Sequence, residues 1–221
     1  MRRKKHYLPI ILILLFLISA EAAVLLGGGL PEEGLWARLT NRDWRLILVN
    51  SSHPVPKNYE STLFQLANGT YVDERIYPDL QEMFDAARAD GFDPAVSEGY
   101  RSHEDQVFMM EQYVETYLSQ GYSREEAEAM AREYMAEPGT SEHELGIAVD
   151  IEGQGSSTAW EVYEWLASNA WRYGFILRYP DGKEEITGIE YEPWHYRYVG
   201  REAAAEIFQS GLTLEEYLEQ K

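Results

Sequence analysis

Hydrophobic and polar positions follow a different rhythm at the start of the chain than in the rest of it. After the basic cluster Met1-Arg2-Arg3-Lys4-Lys5, residues 7–20 form an uncharged run dominated by Leu and Ile. Nothing polar patterns that run, so it lacks the one-sided stripe of a surface helix. Ser19-Ala20-Glu21-Ala22-Ala23 has the small-x-small pattern of a signal-peptidase site, and apolar residues resume to Leu26. Residues 1–26 are therefore expected to be a signal peptide or a membrane anchor, with Glu21 at the outer interface in the anchored case. The basic residues ahead of the run stay cytoplasmic, which places everything after it outside the membrane, secreted or tethered. Gly27-Gly28-Gly29 and Pro31-Glu32-Glu33-Gly34 then break all periodicity, and 27–42 is expected to be linker.

Residues 43–221 alternate between helical and extended patterns. Trp44–Asn50 is a strand candidate. Leu80, Met83, Phe84 and Ala87 share one helical face, so a helix starts at Pro78 or Asp79 and runs to Ala89. Ala95-Val96-Ser97 predicts a short strand. Ser102, with Asp105 three residues on, caps a second helix whose buried stripe is Val107, Met110, Val114 and Leu118. Gly121 ends that helix, and Ser123-Arg124-Glu125-Glu126 opens another running to about Ala136. Strands follow at Ile147–Ile151, Phe175–Arg178 and Trp194–Val199, with helices at Ala159–Ala170 and Arg201–Gln209 and a turn at Tyr179-Pro180-Asp181-Gly182. There is no regular βαβ alternation and no internal repeat. The pattern predicts one α+β domain with a small, mostly antiparallel sheet flanked by helices.

Composition narrows the chemistry. The chain has 221 residues, 45% of them hydrophobic and 13% aromatic, which is ample for a core. It has no cysteine, which excludes disulfides, thiolate nucleophiles and zinc-thiolate clusters together. The formal charge is −19; setting aside the four basic and one acidic residues of 1–26 leaves 15 basic against 37 acidic, a net of −22. No basic patch follows the first five residues, so nucleic acid is not an expected partner.

A metal site in such a chain must use histidine and carboxylate. Of five histidines, two stand in a chemical setting. His143 and Asp150 bracket an apolar segment in Ser141-Glu142-His143-Glu144-Leu145-Gly146-Ile147-Ala148-Val149-Asp150, and His195 lies in Glu192-Pro193-Trp194-His195. His143, Asp150 and His195 as ligands would leave a fourth position open for water, as a catalytic zinc requires. Glu192 is then placed to take the proton from that water. A histidine in an aromatic-rich strand is equally a packed core residue, and an aspartate near a strand end equally a turn former, so the spacing alone leaves the site open. Glu184, Glu185 and Glu190 are rivals for the base or members of a solvated acidic loop. His53 reads as loop structure, His103 as a solvent-exposed residue, and Trp160, Trp165 and Trp171 as core and groove lining.

Ser141-x-His143-x-x-Gly146-x-Ala148-x-Asp150, followed by Glu192-Pro193-Trp194-His195, resembles the signature of the VanY-type D-alanyl-D-alanine carboxypeptidases. These are zinc peptidases grouped with the L,D-carboxypeptidases and VanX-type dipeptidases. Gly99-Tyr100-Arg101-Ser102, the stretch from Trp171 to Pro180 and the ending from Trp194 to Gly200 fit the same group, in order, over roughly residues 50–200. The resemblance implies a D,D-peptidase/hedgehog-like zinc peptidase fold over 43–221 and one Zn2+ per chain, held by His143, Asp150 and His195. It also implies Glu192 as general base, Arg101 as the group that polarises the scissile carbonyl, and Ser141 and Gln106 near the substrate's terminal carboxylate. The implied substrate is a peptidoglycan stem peptide ending in D-Ala. An L,D-carboxypeptidase, a D,D-dipeptidase and a non-catalytic wall-binding module are the alternatives. One position departs from the pattern: Glu98 stands where the family commonly has Ser, and its carboxylate is placed to pair with Arg101.

Overall fold

The computed structural model describes residues 43–221. The expected leader, 1–26, and the expected linker, 27–42, lie outside these residues. Among the described residues, no helix is long and apolar enough to cross a membrane.

The centre is a four-stranded antiparallel sheet of β3 (Pro94–Glu98), β4 (Ala148–Gly153), β5 (Phe175–Leu177) and β6 (His195–Tyr198), in the order β3-β4-β6-β5. Ahead of it, β1 (Leu63–Gln65) and β2 (Tyr71–Asp73) form a separate hairpin. The helices are α1 (Tyr77–Ala89), α2 (His103–Ser119), α3 (Arg124–Tyr134), α4 (Ala159–Asn169), the short α5 (Glu184–Thr187), α6 (Arg201–Ser210) and α7 (Leu214–Glu219). The α+β class and the mostly antiparallel sheet expected from the sequence are both present.

Local chemistry explains most boundaries. Leu80, Met83, Phe84 and Ala87 are the buried face of α1, as their spacing predicts. Ser102 caps α2 by accepting from the Asp105 backbone N–H, and Ser123 with Glu126 forms a reciprocal capping box at α3. Around β5, Ile176 and Val199 pack with Ala203, Ala204 and Ile207 of α6 and with Leu214 and Tyr217 of α7. Each large aliphatic side chain buried this way contributes about 1.5–3 kcal/mol.

Four expectations are corrected. Trp44–Asn50 is not a strand. Trp44–Leu46 is a single 3-10 turn, and the carbonyls of Arg45 and Ile47 accept from the Arg197 guanidinium (3.1 and 2.7 Å) instead of from a neighbouring strand. The buried stripe of α2 holds at Val114, with Met110 and Leu118 packed around it, but its first position is Gln106 instead of Val107. Val107 is 42% exposed while Gln106 is fully buried, because the Gln106 side chain joins Arg101 to the Ala136 carbonyl. Helix α3 stops at Tyr134, two residues early, where the backbone of Met135 turns extended. Trp160 is 63% exposed rather than core. Trp165 is buried, as expected, and donates its indole N–H to Asp90, while Trp171 is half-buried and stacks on Phe208.

The β1–β2 hairpin and α7 also escaped the pattern, as did the short α5, although the first two carried a signal. Asn68-Gly69, at the tip of the β1–β2 hairpin, is a strong turn dipeptide, and Gly69 takes φ +94° there. Thr213 and Glu216 form the capping box of α7.

Candidate active site

Strand register brings two of the three proposed ligands together. Asp150 and His195 are direct cross-strand partners on β4 and β6, an arrangement that puts side chains on one face within contact distance. His143 comes from a 3-10 turn, Glu142–Leu145, just ahead of β4. Gly146 ends that turn at φ +72°, a left-handed conformation that a side chain at this position would strain.

The ligand atoms converge. Asp150 Oδ1 lies 3.0 Å from His195 Nδ1 and 3.5 Å from His143 Nε2. The three donors lie within 4.8 Å of one another. Tetrahedral coordination at about 2.0–2.1 Å sets neighbouring ligand atoms about 3.3 Å apart, so these separations fit one ion. His143 Nδ1 lies 2.8 Å from the Gly99 carbonyl and donates to it, which turns Nε2 toward the cluster. Gly99 has no room for a Cβ against the Tyr71 carbonyl, which is why the chain can pass so close here. Asp150 Oδ1 is buried and without a hydrogen-bond partner. An unpartnered anionic oxygen between two imidazole nitrogens is what a cation would satisfy.

Around this cluster lies a cavity of about 440 Å³. All seven residues singled out from the sequence line it: Arg101, Gln106, Ser141, His143, Asp150, Glu192 and His195. Glu184, Glu185 and Glu190, the rivals for the base, do not. Glu192 is held by backbone bonds on both sides, donating its N–H to the Tyr179 carbonyl and accepting at its own carbonyl from the His195 N–H. Its carboxylate sits 3.6 Å from His195 Nδ1. Burial pushes the Glu192 carboxyl up from the ordinary carboxylate range, against the pull of His195.

Arg101 reaches the cavity from the loop after β3. Its backbone N–H donates to the His143 carbonyl, its Nη1 donates to Gln106 Oε1 at 2.8 Å, and its Nη2 pairs with Glu98 Oε2 at 3.3 Å. The pairing raised by the unusual Glu98 is therefore present. It gives Arg101 a second anchor and lowers the net positive charge it offers to a ligand. Gln106 acts through Arg101, as a strut from the Ala136 carbonyl. Ser141 is buried at the cavity wall.

Beneath the cluster is a buried charge network that the sequence did not suggest. Glu142 Oε1 accepts from Arg178 Nε (2.8 Å) and Arg197 Nη1 (2.7 Å). Arg178 also makes a bidentate pair with Glu215 of α7 (2.9 and 2.6 Å). Burial opposes ionisation of Glu142, and the two guanidiniums outweigh it, holding its carboxyl well below the usual range. Burial likewise opposes charge on His195, but Asp150 and Glu142 raise its pKa to about 9. For Asp150 the two imidazoles overcome burial and keep it ionised. No spacing rule links residues 142, 178, 197 and 215, so only the fold makes them neighbours.

A mixed α/β fold carrying a His–Asp–His cluster, a raised glutamate and a guanidinium on one cavity defines a metal-dependent hydrolase of the peptidase type. Comparison with known proteins makes the assignment specific. Residues 69–201 match the family model described as VanY: D-alanyl-D-alanine carboxypeptidase, and the chain belongs to that family. A D-alanyl-D-alanine carboxypeptidase of Enterococcus faecalis is 52% identical over 193 residues, covering 85% of this chain and 72% of the relative. Two solved structures cover 99% of their own chains. VanYB in complex with D-alanine-D-alanine superposes with a TM-score of 0.78 at 54% identity over 81% of this chain. A glutamate-to-alanine variant of the D,D-pentapeptidase VanY from a VanB-type resistance cassette, in complex with Zn(II), gives 0.77 at 55% identity over 80%.

Proposed function

We propose that this protein is a zinc-dependent D,D-carboxypeptidase that removes the terminal D-alanine from peptidoglycan stem peptides outside the cell membrane. The observation that carries the reading is the convergence of His143, Asp150 and His195 with Glu192 and Arg101 on one cavity. The zinc complex and the D-alanine-D-alanine complex of the similar proteins support it. A structural metal site would need neither the base nor the guanidinium, which disfavours a wall-binding module.

His143 Nε2, Asp150 Oδ1 and His195 Nδ1 would hold the zinc. When bound, the ion supplies Lewis acidity, polarising a carbonyl and making a water a good nucleophile near neutral pH. Arg101, fixed by Gln106 and Glu98, presents its guanidinium to the scissile carbonyl oxygen, where negative charge develops. Glu192 accepts the proton of the attacking water and returns it to the departing D-alanine nitrogen. Its raised pKa suits both halves of that exchange, because a carboxyl nearer neutrality gives up a proton as readily as it takes one. The basic start and apolar run of residues 1–26 support export, as a cleaved leader or an uncleaved anchor.

Incubation with defined pentapeptide and tetrapeptide stems, with and without chelator, tests the function. D-alanine is expected from the pentapeptide, and chelator abolishes its release. Release from the tetrapeptide alone would reassign the protein as an L,D-carboxypeptidase, and release from neither would favour the binding module.

Metal uptake should depend on pH in a defined direction. His195 keeps its proton up to about pH 9 in the metal-free fold, and zinc takes the neutral ring. Below that value each ion displaces one proton, so apparent affinity is expected to rise about tenfold per pH unit from about pH 7 and to level off above about pH 9. Chelator-competition titrations at stepped pH measure the slope. A flat profile across that window would show that His195 is already neutral there in the metal-free protein, contrary to the raised pKa.

A further inference from the structure

We propose that Glu142 is the positioning residue of His195, holding that ring with its proton on Nε2 and so dedicating Nδ1 to the metal. The inference rests on the zinc reading above and concerns which atom of each histidine serves it.

The two histidines face the cluster with different nitrogens. His143 spends Nδ1 on the Gly99 carbonyl at 2.8 Å and turns Nε2 inward. His195 does the reverse: Nδ1 lies 3.0 Å from Asp150 Oδ1, while Nε2 points into the interior, 3.7 Å from Glu142 Oε2. His195 Nε2 and Glu142 Oε2 are both buried, and neither has a hydrogen-bond partner. Each is the other's partner in waiting, since closing the gap by about 0.8 Å makes an ordinary N–H···O bond. The direction of that bond is forced. Glu142 is flanked by Arg178 and Arg197, which can only donate, and both bond its Oε1. An ionised carboxylate can only accept, so its remaining oxygen requires a proton on His195 Nε2.

The carboxylate is itself immobilised. Arg178 is bidentate to Glu215, Asn50 donates to Glu215 at 3.2 Å, and Arg197 is tied to the Arg45 and Ile47 carbonyls. Glu142 is thus set by groups from both ends of the described chain. A ligand histidine oriented by a fixed carboxylate is a recurrent way of raising metal affinity.

Glu142→Gln is the informative substitution because it keeps the shape and reverses the bond. The arginines need an acceptor, so the amide oxygen turns to them and the NH2 faces His195 Nε2. The ring must then carry its proton on Nδ1, the metal-facing atom. Zinc affinity by chelator competition is expected to fall about 10–100-fold, and the visible spectrum of the cobalt-substituted protein to shift. A loss of packing alone would lower the unfolding midpoint of the metal-free protein without altering the cobalt spectrum of the fraction that remains folded. A second measurement needs no variant: long-range 1H–15N spectra of the zinc-loaded wild type should show His195 protonated at Nε2 and coordinated at Nδ1. Coordination through Nε2, or a Glu142→Gln protein with unchanged zinc affinity and cobalt spectrum, would overturn the inference alone. Wild-type protein that takes up no zinc would overturn the functional reading and this inference with it.

Discussion

Glu192→Gln is expected to keep its metal and lose about 10²–10⁴-fold in D-alanine release, the contribution usual for a positioned general base. Gln fills the same volume and keeps both backbone bonds, to the Tyr179 carbonyl and from the His195 N–H, so the cavity wall does not move. Only the ability to take a proton goes. Metal should stay, because the three converging donors are His143, Asp150 and His195, and Glu192 is not one of them. Zinc analysis of the purified variant beside a pentapeptide assay separates the two properties. Activity within tenfold of wild type would remove Glu192 from the mechanism and return attention to other carboxylates.

The largest effect on stability is expected from Arg178→Met. Arg178 is completely buried and serves two carboxylates, with its guanidinium over the Tyr179 ring at 4.9 Å. Met fills much of the stem's space but answers neither Glu142 nor Glu215. Glu142 would keep Arg197 as its one guanidinium partner, with His195 beside it, and Glu215 would keep the Asn50 amide. Breaking a buried pair from one side costs about 3–5 kcal/mol. In a domain of this size that lowers the melting temperature by roughly 6–20 °C, at about 2–4 °C per kcal/mol. Calorimetry or denaturant unfolding of the metal-free protein gives the number. A change below about 1 kcal/mol would show that water or neighbouring groups already compensate the network, contrary to its burial.

The candidate site was legible mainly through the family resemblance, which singled out residues that composition and spacing alone left open. A chain without cysteine has few ways to hold a metal, and His143, Asp150 and His195 each sit at or near the edge of a strand with clear hydrophobic patterning. Asp150 and His195 meet because β4 and β6 pair in register, which the pattern of each strand prepares but does not specify. Elements with a strong period or cap were equally readable, as α1, α2 and α3 are. The miss at Gln106 has the opposite cause: a polar residue on a buried face contradicts periodicity unless its partners are known, and those partners, Arg101 and the Ala136 carbonyl, come from elsewhere in the fold. The Glu142–Arg178–Arg197–Glu215 network was invisible for the same reason, since isolated charges read as surface until the chain folds over them. Trp44–Asn50 reads as a strand by composition, yet a buried arginine occupies carbonyls that a ladder would have used.

The acidic surplus also gains a context. The cavity brings Glu98, Glu142, Asp150 and Glu192 together with Arg101 as the one guanidinium among its lining residues. A divalent cation beside Arg101 would offset three of those four negative charges, which a peptide ending in carboxylate would require there. The central claim is therefore most directly tested by titrating zinc into the metal-free protein while following D-alanine release from a stem pentapeptide. The account predicts no release without metal, a linear rise with added zinc and a break at one equivalent per chain. Release at full rate from the metal-free protein, or a rate indifferent to added zinc, would contradict it.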